Sequence, residues 1–559
     1  MPDYLAPGVS VEETSFRSKS ITGVSTGTTA FAGVARRGGA APVLLTSFAE
    51  FERAYGGLSD LAVDPGVNYL AHAARAFFGE GGRRLYITRV IATSATAAAT
   101  AALMPGGLCR FHASGPGEAG NGRISLSVLA TPLARGAWAG TPEGSLVRIN
   151  RRKPEYALKR GKAWRDAAVP SRPKRLAAVT TPMDLLMLNV TATDKDGFTQ
   201  ACTGLGFTAG HPRYVGDVLS RAAQAGGIDA PWFCLESGSD VTALDVLKLA
   251  TPGPGQAVKE FALGIGAGAQ AGTDAVPSLD DWKAALARLV SIEDIALVAA
   301  PGHTEFPATA EAVTAELVAH ASAPGAYRFA VLEVPKGRLV AEALAFKARV
   351  DSRFAALYYP WVVVAGPGAA EVVLPPSGFM CGIYTRVDAE RGVQPAPTNE
   401  VVRGALRFER TVSKGEQDAL NPAGVNCLRF FVGRGHLVWG ARTTSSDAEW
   451  KYVSVRRYFT YLEHSIDQGT QWAMFEPNGE ALWNLVQRVI EDFLLHEWRS
   501  GALPGNKPEQ AFFVKCDRTT MTQNDLDQGR LICLIGVAVV KPAEFVLFRI
   551  GRWTADRRD

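Results

Sequence analysis

At 559 residues the chain is too long for one ordinary hydrophobic core, and its 47% hydrophobic and 20% charged residues supply apolar surface for several, with no long biased tract. Its 59 basic and 55 acidic residues leave a formal charge of +4, too even to drive general association with nucleic acid. The longest apolar run, Leu531–Val540, is half the ~20 residues that a membrane-spanning helix requires.

The amino-terminal Met1–Gly8 stretch lacks the basic and then apolar pattern of a secretory signal, so synthesis and folding in the cytoplasm are expected. Seven cysteines (Cys109, Cys202, Cys234, Cys381, Cys427, Cys516, Cys533) are odd in number and scattered, without a Cys-x-x-Cys pair. That spacing argues against a disulfide framework or a zinc site and reads as reduced core residues.

In chain order, residues 1–20 read as an extended arm: Pro7-Gly8 breaks any helix, and Val9 and Val11 alternate with Ser10 and Glu12 at strand period. Residues 21–90 mix strands and helices. Phe48, Phe51 and Tyr55 sit at helical spacing, a second helix covers Tyr69 to Phe78, and a strand covers Arg84 to Val90. Residues 91–210 are rich in Ala, Gly, Thr and Pro with short alternating runs, such as Arg123–Val128 and Ser145–Ile149, and read as a β-rich inserted domain. Its basic stretch from Arg148 to Arg175 carries few aromatics and reads as solvated surface.

The α/β pattern resumes at 211, with helices at Trp282–Val290 and Glu311–His320 and strands at Ile295–Ala299, Arg328–Leu332 and Trp361–Val364. Residues 21–90 and 211–394 therefore read as one discontinuous α/β domain. A Pro-rich link at Leu374–Gly378 and again at Gln394–Pro397 separates it from a carboxy-terminal module, 395–543. There Val455, Tyr458, Phe459, Leu462 and Ile466 share a helical face, and Leu482 to Leu494 repeat at i, i+3, i+4 and i+7 before Gly501 and Pro504. Strands follow at Phe512–Lys515 and Leu531–Val540, and residues 544–559 read as a second arm containing the strand Phe545–Ile550. The fold class is α/β (α+β) and multidomain.

Little chemistry is legible. Gly115, Gly117 and Gly120 match G-x-G-x-x-G, but Pro116 interrupts the motif and a strand pattern follows, where a dinucleotide site needs a helix. Gly264, Gly266 and Gly268 lack the lysine and Ser/Thr of a P-loop, and Asp525 and Asp527 lack the closing Glu of a calcium loop, which leaves turn and cap roles. His436 shows no catalytic partner and reads as a packed or interface residue. No catalytic, metal or cofactor site is expected.

The pattern Tyr4–Glu13, followed by Ile21–Thr26 and Thr29–Gly33, resembles the opening of the contractile phage tail sheath family. Asn421–Asn426, Trp439–Thr443, Tyr452–Arg457, Phe475–Asn478 and Cys516-Asp517 with Thr522–Gly529 resemble that family's carboxy-terminal domain in order and spacing. The resemblance covers 1–90 and 350–559 well and the middle weakly. It implies a structural subunit, not an enzyme, that is made in the bacterial cytoplasm and forms hexameric rings stacked helically on an inner tube. Its partners are then copies of itself, the tube protein, and baseplate and terminal cap proteins, with no direct nucleic acid or membrane contact. Whether it serves a phage tail, a bacteriocin or an extracellular injection system stays open.

By the family's pattern, Val9, Ser10, Val11 and Glu12 together with Phe545, Val546, Leu547, Phe548 and Arg549 add as strands to sheets of neighbouring copies. A central strand of the chain's own domain is the other reading of Phe545–Ile550. From 396 to 559 the charge is 21 basic against 20 acidic, so any tube contact must be local. The candidates are Lys451, Arg456, Arg457, Arg488 and Arg499. A carbohydrate- or receptor-binding particle protein would also account for the β-rich insertion, and an α/β hydrolase is the remaining alternative.

Overall fold

A computed structural model describes residues 20–104, 109–134, 136–149, 152–176, 182–220, 227, 230–238, 241–366 and 370–544. Both arm segments, Val9–Glu12 and Phe545–Arg549, lie outside the described residues. The described chain falls into two compact units, one of residues 26–390 with 397–451, the other of 20–25, 391–396 and 452–544.

The larger unit is built on an eight-stranded sheet. Its strand order is Val43–Leu45, Leu85–Arg89, Thr29–Gly33, Leu297–Ala299, Phe329–Glu333, Ala355–Tyr359, Val425–Phe431 and Gly435–Trp439. The inner six strands run parallel, and the two edge strands are antiparallel to their neighbours. Parallel strands need cover on both faces, and alternation along Thr29–Gly33 supplies it. Ala30 and Ala32 pack toward the helices Leu279–Ala287 and Ala310–Ser322 through Trp282, Leu286, Val313 and Leu317. Phe31 points the other way, edge-on to Phe77 of the helix Tyr69–Glu80.

The helix Pro376–Arg391 covers the same face as Tyr69–Glu80. Expected to be part of a Pro-rich link, this segment is a helix because proline costs nothing at a first helical position, where the missing N–H has no partner to lose. Residues 376–387 are all buried, so no amphipathic stripe marks it. Gly378 and Gly382 let it approach closely: a Cβ on Gly378 would stand 2.7 Å from the Ala73 Cα, and one on Gly382 2.6 Å from the Phe77 carbonyl oxygen.

Within the same unit, an antiparallel seven-stranded sheet follows the order Lys259–Leu263, Gly122–Pro132, Met183–Asp194, Leu146–Ile149, Glu155–Arg160 and Ala163–Asp166, with Thr199–Leu205 also on Met183–Asp194. Its core runs from Ala98 to Leu263 and takes in the helix Ala243–Ala250. The β-rich region thus reaches well past the expected boundary at 210, because Lys259–Leu263 finds its partner in Gly122–Pro132. Part of the basic stretch is paired here, Arg148 with Asp184 at 2.7 Å and Lys174 with Glu155 at 2.6 Å.

Two further elements differ from expectation. Val362–Ala365 is a strand, but it joins a separate small sheet with Glu371–Leu374 and Ala405–Phe408. Val425–Phe431 and Gly435–Trp439, expected in the carboxy-terminal module, complete the large sheet beside Ala355–Tyr359. Asn426 fixes that join: its amide nitrogen donates to the carbonyls of Leu357 (3.2 Å) and Arg442 (2.7 Å), and its oxygen accepts the Arg442 N–H at 2.7 Å.

Candidate functional site

The smaller unit carries the surface features of interest. Its helices Val453–Thr470 and Glu480–Arg499 pack through Tyr458, Leu462, Leu482, Val486, Ile490 and Phe493, the face their spacing predicts. Between the helices, Glu497 accepts hydrogen bonds from the hydroxyls of Tyr458 and Tyr461, each at 3.0 Å. Burial beside this carboxylate pushes both phenols up.

Residues 21–25, expected to open the α/β domain, lie along the first helix instead. The Val24 N–H donates to the Ser465 hydroxyl at 3.1 Å, and Gly469 leaves room for Ile21, whose side chain would meet a Cβ there at 2.5 Å. The segment that follows the amino-terminal arm is therefore anchored to this unit.

The strands Phe512–Lys515 and Leu534–Val537 form a two-stranded antiparallel sheet. Val514, Ile535 and Val537 turn toward the helices, while Phe513 and Leu534 on the other face are each 54% exposed. Among the described residues neither strand has a second neighbour, so both outer edges keep unpaired backbone donors and acceptors. Two strands alone are marginal in water. This one is held by its helices, and among the described residues no strand occupies either edge.

The tube-facing candidates separate on burial. Arg456 is 2% exposed and Arg457 4%, so both lie inside the unit and not on its surface. The Arg456 guanidinium donates to both Glu463 oxygens at 2.8 Å and its Nε to the Thr460 hydroxyl at 3.3 Å. Arg488 and Arg499 are exposed on the second helix. Lys451 belongs to the larger unit, where it is half-buried and its carbonyl accepts the Thr443 N–H. The missed signal for Arg456 is its spacing of seven from Glu463, two turns along one face.

A fully exposed aromatic, Phe475, sits between the helices at φ +69° beside the exposed Met474. His436 packs against the Phe408 and Phe430 rings at 5.1 and 5.0 Å. Asp525 caps the helix Gln523–Asp527 together with Thr522.

One cluster in the larger unit has the composition of a hydrolase site. The buried Ser377 hydroxyl donates to Glu333, whose other oxygen accepts the Gly302 N–H, and His303 lies 3.7 Å from the same carboxyl. The Ser377 proton goes to the carboxyl and not to the imidazole, while His303 Nε2 contacts the Thr314 hydroxyl at 2.8 Å. No member is more than 2% exposed, so no substrate reaches it. Burial pushes Glu333 up to about 8 and His303 down to about 4, which keeps both neutral near pH 7. The arrangement locks the core.

Residues 275–444 match the phage tail sheath protein central domain, and residues 445–551 match the phage tail sheath C-terminal domain. The chain is also 34% identical to a protein in the baseplate of the anti-feeding prophage, over 50% of this chain and 76% of that one, with a TM-score of 0.44. This chain belongs to the contractile tail sheath family.

The boundary between the two sheath domains, at 444–445, falls just before Tyr452, where the smaller unit resumes. A putative prophage major tail sheath protein of Pseudomonas aeruginosa strain UCBPP-PA14 is 26% identical over 45% of this chain and 64% of its own length. The chain spans from about a quarter to just under two thirds of the curated sheath relatives it matches. In fold it resembles the anti-feeding prophage helical sheath in its contracted state, at a TM-score of 0.55 and 21% identity over 98% of this chain and 99% of that one.

Proposed function

We propose that this sheath subunit polymerises as hexameric rings stacked around an inner tube and shortens to drive the tube through a target cell envelope. The two-stranded sheet, whose edges no strand occupies among the described residues, carries the reading. It offers one edge to the segment around Val9–Glu12 and the other to the segment around Phe545–Arg549, each from a neighbouring copy. Four or five backbone hydrogen bonds at about 1 kcal/mol each contribute only a few kcal/mol per junction. Summed over a lattice, such junctions hold subunits together while the domains they tether slide and rotate.

The family's solved members include sheath and baseplate complexes, which favour copies of itself and a baseplate among the partners. An inner tube protein and a terminal cap complete the set. Arg488 and Arg499 are the tube-facing candidates that remain exposed, and contacts of about 0 to 1 kcal/mol each suit a surface that must release. The β-rich region projects outward. The proposal gives the chain no catalytic step, metal or cofactor, and places assembly in the bacterial cytoplasm.

Negative-stain microscopy of the purified chain tests this. Hollow cylinders should form without nucleotide, metal or added energy, and persistent monomers across concentration and salt would overturn the reading.

A further inference from the structure

Cys516 and Cys533 are far apart in sequence, yet the register of the open sheet brings them face to face. Phe512 pairs with Val537 and Lys515 with Leu534, so one further step sets Cys516 opposite Cys533. The Ala538 N–H donates to the Ala511 carbonyl at 2.7 Å, which makes Ala511 and Ala538 a hydrogen-bonded pair of the antiparallel ladder. Counting five positions along, Cys516 and Cys533 fall in a non-hydrogen-bonded pair. In such pairs the Cα atoms stand about 4.5 Å apart and the side chains approach most closely, inside the roughly 4.4–6.8 Å that a disulfide spans.

The side chains agree with the ladder. Both turn toward the helices with Val514 and Ile535, Cys516 being 2% exposed and Cys533 half-buried. The Cys533 thiol donates to the Cys516 sulfur, which holds Cys516 down and pushes Cys533 up. The Thr520 hydroxyl donates to the Ile532 carbonyl at 2.8 Å, tying the intervening loop close to the pair.

We propose that Cys516 and Cys533 are a dithiol site that closes to an intrachain disulfide on exchange with a small-molecule disulfide. Once the facing pair has lost its first proton, the two sulfurs share the other; with that proton on Cys516, the accessible Cys533 thiolate attacks one sulfur of the oxidant and expels its first thiolate, leaving a mixed disulfide. Cys516 then attacks the Cys533 sulfur and expels the second. Two protein thiols become one cystine, one small disulfide becomes two thiols, and the two protons pass to the departing thiolates. Cys109 and Cys427 take no part, because they stand opposite Ser237 and Trp439 in their own ladders and neither faces a second thiol. The bond would staple the sheet to which strand addition is assigned above. The sulfur chemistry itself needs no polymer.

The test uses the soluble full-length chain, reduced, desalted and then incubated with oxidised glutathione without denaturant. Non-reducing tryptic mapping should find Cys516-Asp517-Arg518 joined to the peptide that begins at Leu531, with the other five cysteines still open to alkylation. Cys516→Ser should stop at a glutathione adduct on Cys533, whereas Cys533→Ser should keep a free, shielded Cys516. Amide exchange across Phe512–Lys515 should slow at least tenfold in the oxidised chain. Alkylation of both thiols after exposure to excess oxidant, or a persistent glutathione adduct on the unaltered chain, would overturn the proposal. Either result leaves the sheath reading standing, and a failure to polymerise leaves this one standing.

Discussion

Replacing Gly378 or Gly382 with alanine sets local propensity against packing, and the structure fixes the sign. Within a helix, glycine to alanine is worth about 1 kcal/mol in favour of alanine. At Gly378, however, the new methyl would sit 2.7 Å from the Ala73 Cα and Cβ and 3.0 Å from its carbonyl oxygen. At Gly382 it would meet the Glu80 Cβ and the Phe77 carbonyl, both at 2.6 Å. These obstacles are mostly backbone, so the two helices must separate, which disturbs the Phe31–Phe77 and Tyr358–Tyr384 contacts beneath them. Overpacking of this kind costs about 1–3 kcal/mol, which cancels or outweighs the propensity gain. Gly79 provides the control: it is helical, a methyl added there would have no neighbour within 4 Å, and it should gain about 0.5–1 kcal/mol as alanine. Denaturant midpoints read by amide exchange on the Pro376–Arg391 helix should fall for Gly378→Ala and Gly382→Ala and rise for Gly79→Ala. Equal rises for all three would refute the close helix approach.

Between pH 4.5 and 6.5 the raised Glu333, which keeps its proton when folded, opposes the lowered His303, which lacks one, and their effects on stability cancel. From 6.5 to about 8, of these two groups only Glu333 still binds more protons folded than unfolded. Stability should therefore fall over that window by at most about 2 kcal/mol, and Glu333→Gln should flatten the melting profile. Arg456→Met should lower the smaller unit's melting by a few degrees, since it removes part-buried charge-assisted hydrogen bonds to the exposed Glu463, worth about 1 kcal/mol after solvent screening. Arg488→Gln with Arg499→Gln should leave melting within a degree or two while weakening salt-sensitive co-sedimentation with tube protein.

Elements with a strong local period were legible. The Leu482–Leu494 repeat locates the Glu480–Arg499 helix, and Phe48, Phe51 and Tyr55 locate Phe48–Tyr55. Pro376–Arg391 was not, because a helix buried on every side has no polar face to set a period. Pairing across long separations was also hidden. Nothing near Lys259 announces Gly122–Pro132 as its partner, and nothing near Val425 announces Ala355–Tyr359. At the candidate site, charge alone suggested that Arg456 and Arg457 face outward. Desolvation reversed that, with Glu463 and Thr460 supplying the partners that let Arg456 lie inside. The sheet opposition of Cys516 and Cys533 depends on register, which cysteine spacing cannot reveal.

The central claim is that an arm from one copy completes the open sheet of another, and Val11→Pro tests it most directly. Val11 lies outside the described residues, and proline there removes one backbone donor and breaks a ladder. Microscopy for cylinders, run beside thermal melting of the same variant, should find assembly lost or reduced to unstacked rings with melting unchanged. Normal cylinders from Val11→Pro would contradict strand addition by the arm, and early melting would place Val11 in the subunit's own core.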